Sequence, residues 1–299
     1  MTTARFARPA PFRLGGPLAA AALILFTLGS AGVAAAAPET QPVTTDARGV
    51  VHPHGGARPG GGSGDPTLLF HGGAIMTSTV VKAIYWGSSW NASDAKIAGL
   101  DRFYNGIGGS SYMKTNIEYT GTNGTVGAGV TYSGHVIDTS AAPRRAPSTS
   151  DIEAEVQKMI TNPAPNGYYP VYTDQPRGHA GYCAWHSYGT ASGVPVQFAF
   201  FFKLDGDAGC DPGDTTTGHT QGLAALANVS GHELSEAVTD PRNGGWWDKS
   251  GAENADKCAW TFDGLVSFGS EQWKIQGNWS NAAYSARSGY DGAGCIQTR

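Results

Sequence analysis

Within the run His232-Glu-Leu-Ser-Glu-Ala-Val-Thr-Asp-Pro-Arg242, a histidine and a carboxylate, His232 and Glu236, stand four residues apart. On a helix both side chains leave one face about one turn from each other, so together they can clamp a metal ion. Glu233 follows the first ligand directly and points about 100° around the helix. That is the place of the general base in the His-Glu-x-x-His metallopeptidase helix, whose second histidine is Glu236 here. Helix geometry therefore sets Glu233 apart from the ligands, within reach of an activated water.

A catalytic site of this kind needs a third protein ligand and an open position. Downstream, Trp246-Trp-Asp-Lys-Ser-Gly-Ala-Glu-Asn-Ala-Asp-Lys-Cys258 offers Asp248, Glu253 and Asp256. Glu253 or Asp256 is expected to return a carboxylate to the helix. The alternative for all three is a structural calcium loop or a solvated turn. Upstream, Cys183-Ala-Trp-His186 offers an imidazole that could stabilise an oxyanion. Asp240 reads as a helix-end turn former. His52 and His54 fall in a glycine- and proline-rich stretch and should be solvated, while His71, His135, His179 and His219 show no partner pattern.

The elements that must position these groups alternate. Thr79–Trp86 is β-branched and aromatic and predicts a strand ended by Gly87. Ser93–Tyr104 carries apolar residues at helical spacing, with Ser93 as N-cap. Val126–Ile137 predicts one or two strands. Ser150-Asp-Ile-Glu153 matches a capping box ahead of a helix through Ile160. Tyr168–Thr173 predicts a short strand, pushed to a sheet edge by Pro170. Val194–Phe202 predicts a buried strand. Leu223, Leu226, Val229, Leu234 and Val238 mark the helix bearing His232, stopped at Asp240-Pro241. The expected fold is α/β (α+β): a mixed sheet with packed helices and a zincin-like, ligand-bearing helix. A turn-rich, disulfide-bonded C-terminal part follows.

The 299 residues begin with Arg5, Arg8 and Arg13, an apolar core Leu18–Leu28 and an alanine run, which predicts a signal peptide over 1–36. Residues 37–66 are proline- and glycine-rich and predict a disordered linker or pro-segment. Residues 67–299 are expected to form a single globular metal-binding domain. A net charge of −4 with 15% charged residues and no basic stripe excludes a nucleic-acid partner. No membrane association is expected after signal cleavage. The four cysteines predict two disulfides in an exported chain. Cys183–Cys210 with Cys258–Cys295 is favoured of the three pairings because each bond closes a local loop.

Four runs occur in order: His71-Gly-Gly-Ala-Ile-Met-Thr…Val-Lys-Ala-Ile-Tyr-Trp-Gly87, Gly181-Tyr-Cys-Ala-Trp-His186, the His232–Pro241 helix end, and Glu253-Asn-Ala-Asp-Lys-Cys258. Over about residues 70–260 this order resembles the phosphate-induced protein 1 or EXORDIUM family. Those secreted proteins carry a Cys-Gly-aromatic-His, a His-Glu-Leu-x-Glu helix and a Glu-Ile-Gly-Asp-x-Cys block. Asn254-Ala255 replaces the Ile-Gly of that block and keeps both carboxylates. The resemblance implies secretion and an extracellular role linked to growth. A looser resemblance to zincin metallopeptidases rests on His232 and Glu233.

Two functions compete. One is a secreted zinc metallopeptidase acting on extracellular protein or peptide, with His232, Glu236 and Glu253 or Asp256 holding Zn²⁺, Glu233 as base and His186 in support. The other is a non-catalytic extracellular binding or signalling protein whose carboxylates hold structural Ca²⁺. Trp246, Trp247, Trp260, Trp273 and Trp279 could stack on sugars in that second case. A carbohydrate-active enzyme using a carboxylate pair is a third reading.

Overall fold

The computed structural model describes residues 47–54 and 66–299. The signal-peptide reading and most of the linker reading lie outside the described residues.

Six strands form one mixed sheet: β1 (Arg48–Val51), β2 (Thr79–Trp86), β3 (Val130–Asp138), β4 (Gly167–Pro176), β5 (Ala184–Ala191) and β6 (Val194–Lys203). Their order across the sheet is β1-β5-β6-β4-β2-β3. The β2/β3, β2/β4 and β4/β6 pairs are parallel, whereas β5 runs antiparallel to both β6 and β1. Parallel strands covered on both faces carry near-continuous apolar runs, and Gln197–Phe202 in β6 is buried throughout.

Three helices pack on this sheet: α1 (Ala95–Ile107), α2 (Thr149–Met159) and α3 (Gln221–Thr239). Two caps differ from expectation. Asp94, not Ser93, caps α1 by accepting from the Lys96 amide, because Ser93 is taken up by a turn with Asn91. The capping box of α2 sits two residues earlier, at Ser148 and Asp151.

Pro170 is the larger correction. It lies in β4, a central strand paired with β6 and β2, with Pro170 opposite Ala199. Residues 167–173 of β4 are all buried, and that burial outweighs the one ladder donor proline lacks.

The stretch read as a linker is corrected over 48–54. Arg48–Val51 forms the edge strand β1, with Val51 wholly buried, and its two ends are tied to β5. The strand β5 itself escaped the sequence reading; its alternation is blurred by serine, glycine and threonine between the aromatics.

Beyond α3 the chain is turn-rich, with two-stranded ribbons and one short helix, Asn281–Ser285. Disulfides join Cys183 to Cys210 and Cys258 to Cys295. No helix among the described residues is long and apolar enough to cross a membrane.

Candidate metal centre

Every residue of α3 from Gly222 to Thr239 is buried, although the helix carries His232, Glu233 and Glu236. The packing explains this: α3 lies against β1, β5, β6 and α1, and the C-terminal loops cover its remaining side. Thr220 caps its start and Asp240 ends it.

The side chains that converge on this helix are those the sequence singled out. His232 Nε2 lies 3.0 Å from Glu236 Oε1 and 3.5 Å from Asp256 Oδ1. Ligand atoms of a tetrahedral site with bonds near 2.0 Å stand about 3.3 Å apart, so these separations suit a shared ion. On the other side of Glu236, His186 Nε2 is 3.8 Å from Glu236 Oε2 and 3.4 Å from Glu253 Oε2. Two sets of donor atoms each lie within 4.8 Å of one another: His232, Glu236 and Asp256, and His186, Glu233 and Glu236. Glu233 thus falls inside the group, not apart from it as helix geometry alone suggests. Asp248 does not join; it is held in its own turn by Ser250 and Lys257.

The neighbouring atoms orient the ligands. The Asp256 amide donates to Glu236 Oε1 at 2.8 Å, and the Glu253 amide donates to Asp256 Oδ2 at 3.1 Å. Backbone amides therefore steady Glu236 Oε1 and Asp256 Oδ2. Gln276 Nε2 lies 2.5 Å from His232 Nδ1; the same amide group donates to Ala255 O and accepts from the Trp260 amide. A protonated His232, or one ligating through Nε2, carries Nδ1–H and needs an acceptor there. Turning the Gln276 amide over supplies Oε1, at the loss of its bonds to Ala255 and Trp260. Nothing in the sequence pattern marks Gln276.

The inward atoms approach one another but make no hydrogen bonds. His186 Nε2, His232 Nε2, both oxygens of Glu233, Glu236 Oε2 and Glu253 Oε2 are buried and make no hydrogen bond. Buried polar groups are almost always paired, so six orphans converging on one helix require a common explanation. Among the described residues, no lysine or arginine nitrogen comes within ion-pairing distance of these carboxylates. Each unpaired buried charge costs several kcal/mol.

Protonation reflects that strain. Burial, with the Glu236 and Asp256 charges, holds the Glu233 carboxyl well above the usual range. Burial and Asp240 do the same to Glu253. Burial and Asp256 push Glu236 up to about 7 against the pull of His232. His232 is pushed up to about 9: burial opposes its charge, but Glu236 and Asp256 outweigh it. His186 goes down to about 3 through burial and the repulsion of His232 and Arg48, so it is a neutral imidazole, the form that ligates metals. A dication would let the carboxylates ionise together. The residues fit a metal ion, and two imidazole donors disfavour calcium, which takes oxygen ligands.

Elsewhere the sequence expectations fare differently. His52 and His54 are not simply solvated: His52 Nδ1 meets Gly181 O at 3.0 Å, and the His54 ring packs at a tilt against Trp260. His71 stacks on Trp247. Trp273 and Trp279 are buried and offer no face to a sugar. A buried tyrosine layer carries no sequence signature. Tyr104, Tyr172 and Ser230 form a hydroxyl chain beneath α3, and the Tyr168 hydroxyl has no partner. No protein-family model, curated protein or solved structure matches this chain.

Proposed function

We propose that this protein is a secreted metal-dependent hydrolase, a zinc peptidase acting on extracellular protein or peptide. The observation that carries the reading is the set of six unpartnered donor atoms converging on α3. His232, Glu236 and Asp256 would hold the ion, with Glu253 and His186 beside them. Zinc bound there would polarise a carbonyl and activate water. The sheet backing a His-Glu helix is in keeping with the zincin resemblance, and the order of motifs with the EXORDIUM-like one.

The chain's own groups divide the remaining work. Glu233 is buried and free of hydrogen bonds, so nothing competes for a proton it takes up or releases. His186, neutral and across Glu236 from His232, can donate a hydrogen bond to an oxygen that gains charge. Burial of the whole group excludes bulk water and strengthens each of these interactions.

Metal analysis of the purified chain tests this directly. About one zinc per chain is expected, and His232→Ala should abolish both the metal and peptide hydrolysis. Glu233→Gln should keep the metal and lower the rate about 10²–10⁴-fold. A chain that binds no transition metal, or hydrolyses equally well as Glu233→Gln, overturns the assignment.

A further inference from the structure

The N-terminal strand β1 runs directly over the candidate metal centre. Gly49 sits in the left-handed region at φ +48°, and a Cβ placed on it would lie 1.8 Å from Glu236 Oε2 and 2.4 Å from His186 Cδ2. Only a residue without a side chain can approach the site so closely. The pairing register shifts by one residue between Arg48↔His186 and Val51↔Ala184, so a bulge places Gly49 at this spot. Arg48 brings a guanidinium whose Nε is buried without a hydrogen bond, and its charge acts on Glu253, Asp240 and His186.

Beyond the strand the segment is tied at every step. The Cys183 amide donates to Val51 O at 2.6 Å, and Trp260 Nε1 donates to His52 O at 2.7 Å. The His54 amide donates to Gly209 O, and its ring lies 4.2 Å from that of Trp260. Cys183 and Gly209 sit at the two ends of the Cys183–Cys210 disulfide, and Trp260 lies two residues from Cys258 of the other. The segment therefore occupies the free edge of β5 and lies against the donor group together.

We infer that Arg48–His54 is a built-in inhibitor: an extended segment laid on the β5 edge whose Gly49 closes the centre until the segment is withdrawn. An extended backbone on a sheet edge is how such edges take peptides, so the segment marks the path an extended peptide substrate with a small residue over the metal would follow. This inference rests on the hydrolase reading.

The test uses the full chain as wild type, Gly49→Val and His54→Ala, with two readouts. One is the rate at which the metal-stripped protein takes up zinc in competition with a coloured chelator. The other is hydrolysis of denatured casein. Gly49→Val cannot be seated, because Glu236 and His186 are themselves 0% and 2% exposed and have no room to retreat. It should load zinc and hydrolyse at least about tenfold faster than wild type. His54→Ala changes only an exposed anchor, so it tests the idea even if Gly49→Val misfolds; an acceleration of a few-fold is expected. A synthetic peptide of residues 46–54 should return both variants to the wild-type rate. Equal zinc uptake and hydrolysis in all forms, or no effect of the peptide, overturns the inhibitor alone. Absence of zinc in every form overturns the metal centre as well.

Discussion

Two groups of buried acids in this molecule meet the same problem in opposite ways. Beside α2, the Glu155 side chain is 3% exposed, yet Lys158 lies 3.2 Å away and also pairs with Asp138. Burial still pushes Glu155 up to about 7 despite the lysine. Asp138 is held well below the usual carboxylate range, since Lys158 and Ser140 outweigh its own burial. The α3 group has four acids, two histidines and no ammonium. One cluster carries its counter-charge in the sequence, on a lysine side chain half in water. The other sets only the His232 imidazolium against four acids, two of which burial keeps from ionising. These acids can ionise together only beside an added cation, and that distinguishes a structural ion pair from a binding site.

That contrast is broken or kept most visibly by taking metal away. A ligand present at about 1,000 times its dissociation constant stabilises the fold by about 4 kcal/mol. For a domain of this size that is roughly 10 °C in Tm. Chelation should lower Tm by about this amount in the wild-type chain and by almost nothing in His232→Ala. An unchanged melt in wild type would mean that the α3 acids are tolerated without a cation, and the two clusters would no longer differ in kind.

The site was more legible in the sequence than the surroundings that make it work. Spacing alone places His232 and Glu236 on one helical face, since an i,i+4 pair needs no knowledge of the rest of the fold. Glu253 and Asp256 could be named as a pair because both lie in a short acidic loop, and the structure brings Asp256 Oδ1 to His232 and Glu253 Oε2 to His186. What could not be read depends on contacts far apart in the chain. Gln276 meets His232 across 44 positions, and Gly49 meets Glu236 only because β1 pairs with β5. The same holds for Pro170, where local chemistry argues for an edge and burial on both faces of the sheet decides otherwise.

Gln276 offers a finer probe, because among the candidate ligands it meets His232, at Nδ1. Gln276→Leu leaves Nδ1 without an acceptor and should weaken metal affinity about 10–100-fold. Gln276→Glu presents an oxygen in either orientation and should restore the affinity or exceed it. Competition against a chelator of known strength measures both. If the leucine variant binds as tightly as wild type, the tautomer of His232 is not set by this contact. Ser140→Ala, a comparable change beside Asp138, should leave metal affinity untouched.

The smallest expected effect lies in the cluster that needs no metal. A glutamate whose folded pKa is raised to about 7 holds its proton more tightly folded than unfolded. Its contribution to stability is therefore complete below about pH 4.5 and disappears as pH rises through 7. The shift sets an upper bound of about 3 kcal/mol. Solvent around Lys158, whose side chain is 50% exposed, screens the group and brings the figure nearer 1 kcal/mol. Asp138 behaves in the opposite sense: its contribution is complete above its ordinary range and is lost only below it, so it stays constant between pH 5 and 8. Denaturant unfolding of metal-loaded protein should show wild type losing about 1 kcal/mol across that interval relative to Glu155→Gln, which stays neutral throughout. Parallel pH profiles would mean that Lys158 fully neutralises Glu155, leaving the second cluster an ordinary ion pair with no residual strain.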